Sequence, residues 1–338
     1  MKLVIAPEPA PWLEPLLDSL DRRECLVIAP WAVPGVLAPM LPRHALRGVR
    51  QLSLPGWALV RAASRRAAAA IGHGAELRLT LELRQAVDLL VSRWVPDDVT
   101  QIFAPSLCAL RTFARAPRAE RVLLHDLPVL RQLHRDLDDA AEALPEAGFL
   151  RNFRAEPSIV ARQEQEHVLA TRVLVGGHYA RKLLAKRVEA TRLGALPSPR
   201  PTLLLSHRPD SPFVLLAGTT ASRHGLEVAL AAVERTKERT LLARRGPGTL
   251  ASSLEHPRLH VLSRPPPPVR AVIAPAWVEC CSPETSAAAR GGVPLLATER
   301  ARGWFEATVV QPGDASGLAR ELDRQAPVTT RLSTPFGA

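Results

Sequence analysis

The sequence predicts an α/β protein with two domains, each built around a mainly parallel β-sheet, and three observations lead to this prediction. The chain has 338 residues, which exceeds what one hydrophobic core usually serves and favours two domains of roughly 150 residues each. Hydrophobic residues make up 46% of it, as in a fully folded protein. Short apolar runs of strand length alternate with helical segments in both halves, which is the pattern of parallel β-α-β units.

The N-terminal half opens with two predicted strands, Lys2 to Ala6 and Cys25 to Ala29, on either side of the amphipathic segment Trp12 to Leu20. In Glu76 to Val95, leucines first alternate as in a strand and apolar residues then repeat at helix spacing. We predict a helix there, above all from Arg84 onward. The half continues with predicted strands at Gln101 to Ala104, Arg121 to Leu124 and Val173 to Val175, a short helix at Leu107 to Ala114, and otherwise helical sequence from Leu127 to Ala190.

A change of composition marks the domain boundary. Thr191 to Pro212 is rich in proline, so we place the boundary there, with an N-terminal domain of residues 1–195 and a C-terminal domain of residues 200–325. Residues 326–338 are expected to form a tail or a return segment. In the C-terminal domain, strands are predicted at Phe213 to Ala217, Thr240 to Ala243, Leu259 to Leu262, Ala271 to Ala274, Val293 to Ala297 and Ala307 to Val310, and helices at Gly225 to Glu238 and Ala315 to Asp323.

The stretch from Ala271 to Thr298 is predicted to form a strand, a loop, a helix, a turn and a second strand. Ser282 is placed to cap the helix, and Pro283 suits its first position because the missing N–H of proline would be unpaired there. Two adjacent glycines end the helix. Ligands of parallel sheets bind at the carboxyl ends of the strands, so the loop 275–282, which carries Glu279, is expected to face a ligand.

The formal net charge of +11 favours an anionic partner, such as nucleic acid, the phosphates of a sugar nucleotide or an anionic membrane surface. Aromatic residues amount to only 4% and the sequence has no nucleic-acid-binding motif, which argues against nucleic acid. The N-terminal residues lack the features of a signal peptide, and no apolar run approaches the roughly 20 residues that span a bilayer. We therefore expect a cytoplasmic protein.

The four cysteines give no indication of a disulfide or of a metal site. Cys280 and Cys281 are adjacent and lack the spacing of a chelating pair, while Cys25 and Cys108 lie in apolar runs. We expect neither a metal nor a cofactor.

The segment FVLLAGTTASRHGLEVALAA joins a predicted strand to a predicted helix. It resembles a motif of family 4 of the GT-B glycosyltransferases, in which a Gly-Arg pair and then a Lys-Gly pair hold the donor diphosphate. Gly218 and Gly225 match the glycines, Thr219 replaces the arginine, and His224 replaces the lysine, with Arg223 one residue earlier. The resemblance implies a phosphate site at this helix start, with charge from Arg223 and His224. The alternative is a surface helix with ordinary basic residues.

The segment ECCSPETSAAARGGVP resembles a second motif of that family, in which a glutamate is followed by seven residues, another glutamate and then Gly-x-Pro. Glu279 matches the first acid, which implies contact with donor-sugar hydroxyls, and Gly292 begins the matching Gly-x-Pro. Ala287 replaces the acid that binds the nucleotide ribose. Glu284 lies one helical turn earlier on the same face and is a substitute for it. The alternatives are a solvated loop acid for Glu279 and an interaction with the helix dipole for Glu284.

The N-terminal half carries a third point of resemblance, the segment VLLHDLP. His125 follows a predicted strand where family members place a histidine that faces the donor sugar, and a histidine can donate a hydrogen bond there near neutral pH. A structural histidine is the alternative reading, and Asp126 is as well explained by capping the next turn. The glycine-rich turn that the family has after its first strand is replaced by APEPAPW.

Two polar clusters are less specific. His134, Arg135 and Asp136 are most simply the solvated face of a helix. The second cluster faces a ligand or forms a mixed-charge surface, and it consists of Arg151, Arg154, Arg162, Glu164 and Glu166.

The resemblance is clearest in residues 213–323 and weaker in residues 121–184. It implies a GT-B fold, with two Rossmann-like domains facing a cleft, and a retaining, metal-independent glycosyltransferase that moves a sugar from a nucleotide-sugar donor to an unknown acceptor. Two alternatives stay open: a GT-B-shaped binding or scaffold protein without catalysis, because three expected residues are replaced, and a protein that binds polyanions or nucleic acid. The predicted site comprises His125 and Glu279 for catalysis and Gly218, Thr219, Arg223, His224, Glu284 and Gly292 for donor binding.

Overall fold

A computed structural model of the chain describes residues 1–31, 46, 48–53, 56–57, 60, 63–64, 66, 74–197, 203–236, 239–246, 248–279 and 282–324. These residues form two compact units. The first unit takes in the described residues of Met1–Leu130, Ala155–Val175 and Leu183–Pro199, and the second those of Arg131–Arg154, Gly176–Lys182 and Arg200–Ala338.

The first unit contains a seven-stranded sheet in the order β3-β2-β1-β4-β5-β6-β7, with every neighbouring pair parallel. Its strand order reverses between β1 and β4, the place where open α/β sheets bind ligands. Trp12, Leu17, Phe103 and Leu124 are among the buried residues that pack on one face. The strands are β1 (Lys2–Ile5), β2 (Cys25–Ile28), β3 (Arg50–Leu52), β4 (Gln101–Pro105), β5 (Glu120–His125), β6 (Arg172–Val175) and β7 (Leu193–Ala195).

The second unit contains a six-stranded parallel sheet in the order β10-β9-β8-β11-β12-β13, so its strand order reverses between β8 and β11. Leu215, Val272, Ala288 and Leu295 belong to the apolar cluster on this sheet. The strands are β8 (Phe213–Thr219), β9 (Thr240–Arg244), β10 (Leu259–Leu262), β11 (Ala271–Ala274), β12 (Leu295–Ala297) and β13 (Thr308–Val309).

Helices connect the strands. The α-helices of the described residues are α1 (Leu13–Asp18), α2 (Ala75–Val91), α3 (Leu110–Arg115), α4 (Leu130–Ala143), α5 (Pro157–Leu169), α6 (His178–Leu184), α7 (Leu226–Arg235), α8 (Ala251–Leu254), α9 (Pro283–Gly291) and α10 (Ala315–Arg324). Short 3-10 helices occupy Arg22–Glu24, Pro145–Phe153, Ala190–Arg192 and Ser222–His224.

The predicted α/β class with parallel sheets is confirmed. Helix α9 begins and ends where the sequence predicts, and the Ser282 side chain accepts a hydrogen bond from the Thr285 N–H as its N-cap. Two strands were missed: β3, and β7, which lies inside the segment assigned to the domain boundary. The alternating leucines near residue 80 belong to a helix and not to a strand, since α2 spans Ala75–Val91.

The thiols and the termini also bear on the predictions. Cys25 and Cys108 are buried free thiols. The adjacent pair Cys280 and Cys281, and the predicted tail of residues 326–338, lie outside the described residues. Within the described part of the chain, no helix is both long enough and apolar enough to cross a bilayer.

The turn between β8 and α7 approaches the loop after β11 so closely that only glycine fits at one position. Gly225 has a left-handed φ of 81°, and a Cβ atom built on it would lie 2.2 Å from the Pro275 carbonyl oxygen. Backbone atoms form this contact, so no side chain can move to relieve it. The glycine therefore sets the distance between these two loops.

Gly225→Ala is expected to destabilise the protein by about 3 kcal/mol, through the left-handed backbone and through the clash with Pro275. Gly292→Ala is the matched control. Gly292 also has a positive φ, 63°, but has open space around the Cβ position, so only the backbone cost of about 1 kcal/mol applies. Chemical denaturation of both variants measures the difference, and equal losses would contradict the close approach.

Candidate functional site

The reversal of strand order in the second sheet brings two loops together at the carboxyl ends of β8 and β11. We call residues 218–225 the β8 turn and residues 275–279 the β11 loop. The Trp277 N–H donates to the Arg223 carbonyl oxygen at 3.1 Å, which joins the two segments directly. This is the place where a parallel sheet of this topology holds its ligand.

Glu284 ties three elements together at this end of the sheet. It lies in the first turn of α9 and its exposed fraction is only 2%. Its Oε2 accepts a hydrogen bond from the Gly218 N–H at 3.1 Å, and its Oε1 lies 3.3 Å from the Arg244 Nε. The carboxylate thus fixes the ends of β8 and β9 against α9. The ribose contact that the sequence suggested for Glu284 stays a prediction.

The β8 turn folds back on the His224 ring. The Thr219 N–H donates to His224 Nδ1 at 3.2 Å, and the Thr219 hydroxyl lies 3.0 Å from the same atom. Loss of water lowers the pKa of His224 to about 3, and the neighbouring Arg223 charge contributes. The expectation that His224 supplies positive charge is therefore wrong, because the ring is neutral at physiological pH and acts as an acceptor that orders the turn.

Arg223 is the cation of the β8 turn. Its guanidinium lies over the Phe153 ring, 4.7 Å from the ring centroid, in a cation–π contact. Gly248 completes the surroundings, since a Cβ atom on it would lie 3.0 Å from the Phe153 ring and 3.6 Å from Arg223 Nη1. The aromatic ring therefore holds a positive charge beside the turn.

The β11 loop, which leads to the half-buried Glu279, is held from behind by the residues that follow β12. The Thr298 hydroxyl donates to the Ala276 carbonyl oxygen at 2.9 Å, and Arg300 donates to the Trp277 carbonyl oxygen. Arg300 also lies 3.1 Å from the carboxylate of Asp136. Asp136, predicted on a solvated helix face, is in fact 1% exposed, because it forms this buried ion pair.

Two positions of the second motif have structural roles. Ala287 lies in the apolar cluster of the second unit with 2% exposure, so no polar group replaces the missing acid at that position. Gly292 caps the C-terminus of α9 with a left-handed φ of 63°.

In the first unit, His125 is the last residue of β5, which extends one residue beyond the predicted end at Leu124. Its exposed fraction is 2%, and its Nδ1 lies 3.3 Å from both the Ser106 hydroxyl and His167 Nε2. Burial, with His167 beside it, lowers the pKa of His125 well below its usual value, so the ring is neutral. Among the described residues, no group forms a hydrogen bond with His125 Nε2.

A buried ionic cluster that sequence reasoning missed lies beside His125. Arg84 forms two bonds to Asp126, from Nη1 to Oδ1 at 2.8 Å and from Nη2 to Oδ2 at 3.0 Å, and its Nε donates to Glu8 at 3.2 Å. The Trp12 indole N–H also donates to Asp126, at 3.3 Å. The APEPAPW segment, which replaces a glycine-rich turn, therefore supplies an acid and an indole that fix the end of β5.

Two buried carboxylates occupy the N-terminus of α3, after β4. Glu166 accepts from the backbone N–H groups of Leu107 at 2.6 Å and of Ala109 at 3.1 Å. Asp88 accepts from those of Arg111 at 2.9 Å and Thr112 at 3.0 Å. These donors are the ones that a ligand phosphate uses at a helix start. The protein's own carboxylates therefore occupy the backbone N–H donors at this end of the first sheet.

Among the described residues, no group of three or more histidine, cysteine or acidic side chains is arranged to hold a metal ion.

Comparisons with known proteins identify the fold. No family model matches the chain, and no curated protein matches its sequence. Solved structures do match. A sucrose-phosphate synthase from Thermosynechococcus elongatus superposes with a TM-score of 0.60 at 13% identity, over 96% of this chain and 88% of that chain. A glycosyltransferase from Rickettsia africae matches with a TM-score of 0.49 at 10% identity, over 95% of this chain and 86% of that one.

The chain thus has the fold of the GT-B glycosyltransferases, with two sheets of parallel strands. At these identities the similarity establishes the fold and not the reaction.

His224→Asn is expected to flatten the acid side of the stability profile. In the wild type, protons bind His224 in the unfolded chain below pH about 6.5 but bind the folded ring only near pH 3, so acidification favours unfolding across that window. The contribution is at most about 1.4 kcal/mol per pH unit. Asparagine keeps an acceptor for the Thr219 N–H without titrating.

Denaturation midpoints between pH 7 and pH 4 measure this effect. His260→Asn, at an exposed position of β10, is the control and should follow the wild-type profile. If the midpoints of the wild type and of His224→Asn fell in parallel with pH, His224 would take up its proton over the same pH range in the folded and the unfolded chain, which would contradict the prediction.

Proposed function

We propose that this protein is a glycosyltransferase that moves a sugar from a nucleotide-sugar donor to an acceptor, with the donor bound at the carboxyl ends of β8 and β11. One observation carries the proposal. The buried Glu284 carboxylate, in the first turn of α9, accepts a hydrogen bond from the Gly218 N–H and so holds the end of β8 beside the start of the helix. Such a place combines a close backbone approach with a helix N-terminus, the two features that accommodate a diphosphate.

Each predicted donor-binding residue has a role in this proposal. Gly218, with a φ of 90°, lets the chain turn beneath the diphosphate, and Thr219 and His224 order that turn through their mutual bonds. Arg223 contributes positive charge from its position over Phe153. Glu284 positions the Gly218 backbone, and Gly292 ends the helix whose N-terminus faces the ligand.

Glu279 and His125 remain the proposed catalytic residues. Glu279 stands at the end of the braced β11 loop, where a carboxylate would orient the hydroxyl groups of the donor sugar. His125, which burial keeps uncharged, would act as a hydrogen-bonding group and not as a charged one. Retention of the anomeric configuration and independence from metal follow from the family resemblance alone, and we include them in the proposal on that basis.

The fold supports this class of reaction in a general way. A sucrose-phosphate synthase superposes on 96% of this chain with a TM-score of 0.60, and the match covers 88% of its own length.

A second candidate is a binding protein of the same fold that has lost catalysis. The observation that favours it is the combination of Ala287 in the apolar core, a neutral His224 and a His125 ring with 2% exposure. The two candidates share donor binding and differ in turnover: an enzyme releases nucleoside diphosphate as it transfers the sugar to an acceptor hydroxyl or to water, and a binding protein does not.

Donor binding is tested by thermal unfolding of the full chain with UDP, GDP and ADP. One of them should stabilise the protein, by about 2.7 kcal/mol at a hundred times its Kd. Arg223→Ala should weaken that binding about tenfold or more, because it removes a charge that faces the diphosphate. Arg320→Ala, an exposed arginine of α10, removes the same charge elsewhere in the unit and should leave the affinity unchanged.

The absence of stabilisation by all three diphosphates would overturn the proposal. If both arginine variants lost affinity equally, the net charge of the protein, and not this site, would hold the nucleotide.

A further inference from the structure

The β8 turn is short of positive charge for a diphosphate site. Thr219 and His224 occupy the two positions where the resemblance implies cations. Thr219 carries no charge, and His224 is neutral because its pKa lies near 3. Arg223 is therefore the only formal charge that this turn itself supplies within residues 218–225. A donor carrying two phosphates would require further positive charge from another element.

Strand β9 supplies a cation to the same place. Arg244, the last residue of β9, pairs in the sheet with Thr219 of β8. The carbonyl oxygen of Arg244 accepts from the Thr220 N–H at 2.8 Å, so its backbone is fixed to the β8 turn. Its Nε lies 3.3 Å from the Glu284 carboxylate, whose other oxygen accepts from the Gly218 N–H. One carboxylate therefore separates the Arg244 guanidinium from the Gly218 backbone.

The two ends of this ion pair differ in their exposure. The Glu284 side chain is 2% exposed, whereas that of Arg244 is 46% exposed. The carboxylate approaches the guanidinium at Nε in an ion pair, and no described residue accepts a hydrogen bond from the two terminal nitrogens of Arg244. An arginine fixed in this way offers a planar pair of donors to an oxyanion. It also neutralises Glu284, which would otherwise repel an anion beside Gly218.

From this geometry we infer that Arg244 is a phosphate-binding residue of the donor site, with Glu284 as its positioning residue. This inference rests on the proposed function. Arg244, at the end of β9, supplies the positive charge that positions 219 and 224 lack. The part of the donor that Arg244 recognises is then the diphosphate, more than the base or the sugar. Arg245, the next residue, is exposed and forms no ion pair among the described residues, so it provides a matched comparison.

The experiment compares a nucleoside diphosphate with the monophosphate of the same base, by calorimetry on the full chain. The diphosphate is whichever of UDP, GDP and ADP binds the wild type best. Arg244→Gln should reduce the ratio of diphosphate to monophosphate affinity at least tenfold. Arg244→Lys should reduce it less, since lysine keeps the charge but not the paired donors. Arg245→Gln should leave the ratio unchanged.

A double variant separates binding of phosphate from neutralisation of Glu284. In Arg244→Gln with Glu284→Gln, the repelling carboxylate is gone and glutamine still offers an acceptor to the Gly218 N–H. If Arg244 binds phosphate, the ratio stays at least tenfold below the wild type. Recovery of the wild-type ratio would show that Arg244 only neutralises Glu284 and would overturn the inference.

The outcomes also distinguish this inference from the proposed function. A wild type that binds diphosphate, together with an unchanged ratio in Arg244→Gln and Arg244→Lys, overturns the role of Arg244 and leaves the proposed function standing. A wild type that binds none of the three diphosphates overturns both. Thermal unfolding of each variant confirms that it is folded, and the double variant, which buries no unpaired charge, serves if Arg244→Gln does not fold.

Discussion

Both sheets of this protein consist of parallel strands, and such sheets are stable only when other elements cover both of their faces. Every residue of β11 is buried, for example, and so are the last four residues of β5. Polar side chains are therefore excluded from the middle of the sheets and collect where the strands end. This constraint places Glu284, His224 and Arg244 at one end of the second sheet, and His125 and Asp126 at the same end of the first.

The two sheets use these ends differently. In the first unit, Glu166 and Asp88 accept from the backbone donors after β4, and Arg84 forms ion pairs with both Asp126 and Glu8, so these charged groups have partners within the protein. In the second unit, one buried carboxylate holds an arginine whose side chain is half exposed. Anion binding at the second sheet is consistent with this contrast, because the half-exposed Arg244 side chain is paired there with a carboxylate that is only 2% exposed.

Local features could be predicted from the sequence, whereas long-range pairs could not. The cap of α9 involves residues three positions apart, and the strand before His125 is a continuous apolar run, so both were predicted correctly. The partners of Arg84 and Glu166 lie 42 and 59 positions away, and no spacing in one sequence indicates them. Strand β7, of three residues including a glycine, is too short to give a periodic signal. The charge of His224 depended on burial, which the sequence does not reveal.

Turnover tests most directly whether this site processes a sugar nucleotide. The full chain, incubated with UDP-, GDP- and ADP-hexoses and a panel of hydroxyl-bearing acceptors, should release nucleoside diphosphate from at least one of them as the hexosyl group passes to an acceptor hydroxyl or to water. Glu279→Gln should lower that release at least tenfold while leaving the diphosphate affinity near its wild-type value, because the lost contact belongs to the sugar in the transition state. Tight diphosphate binding without release from any sugar nucleotide would contradict the account and identify the protein as a binding protein.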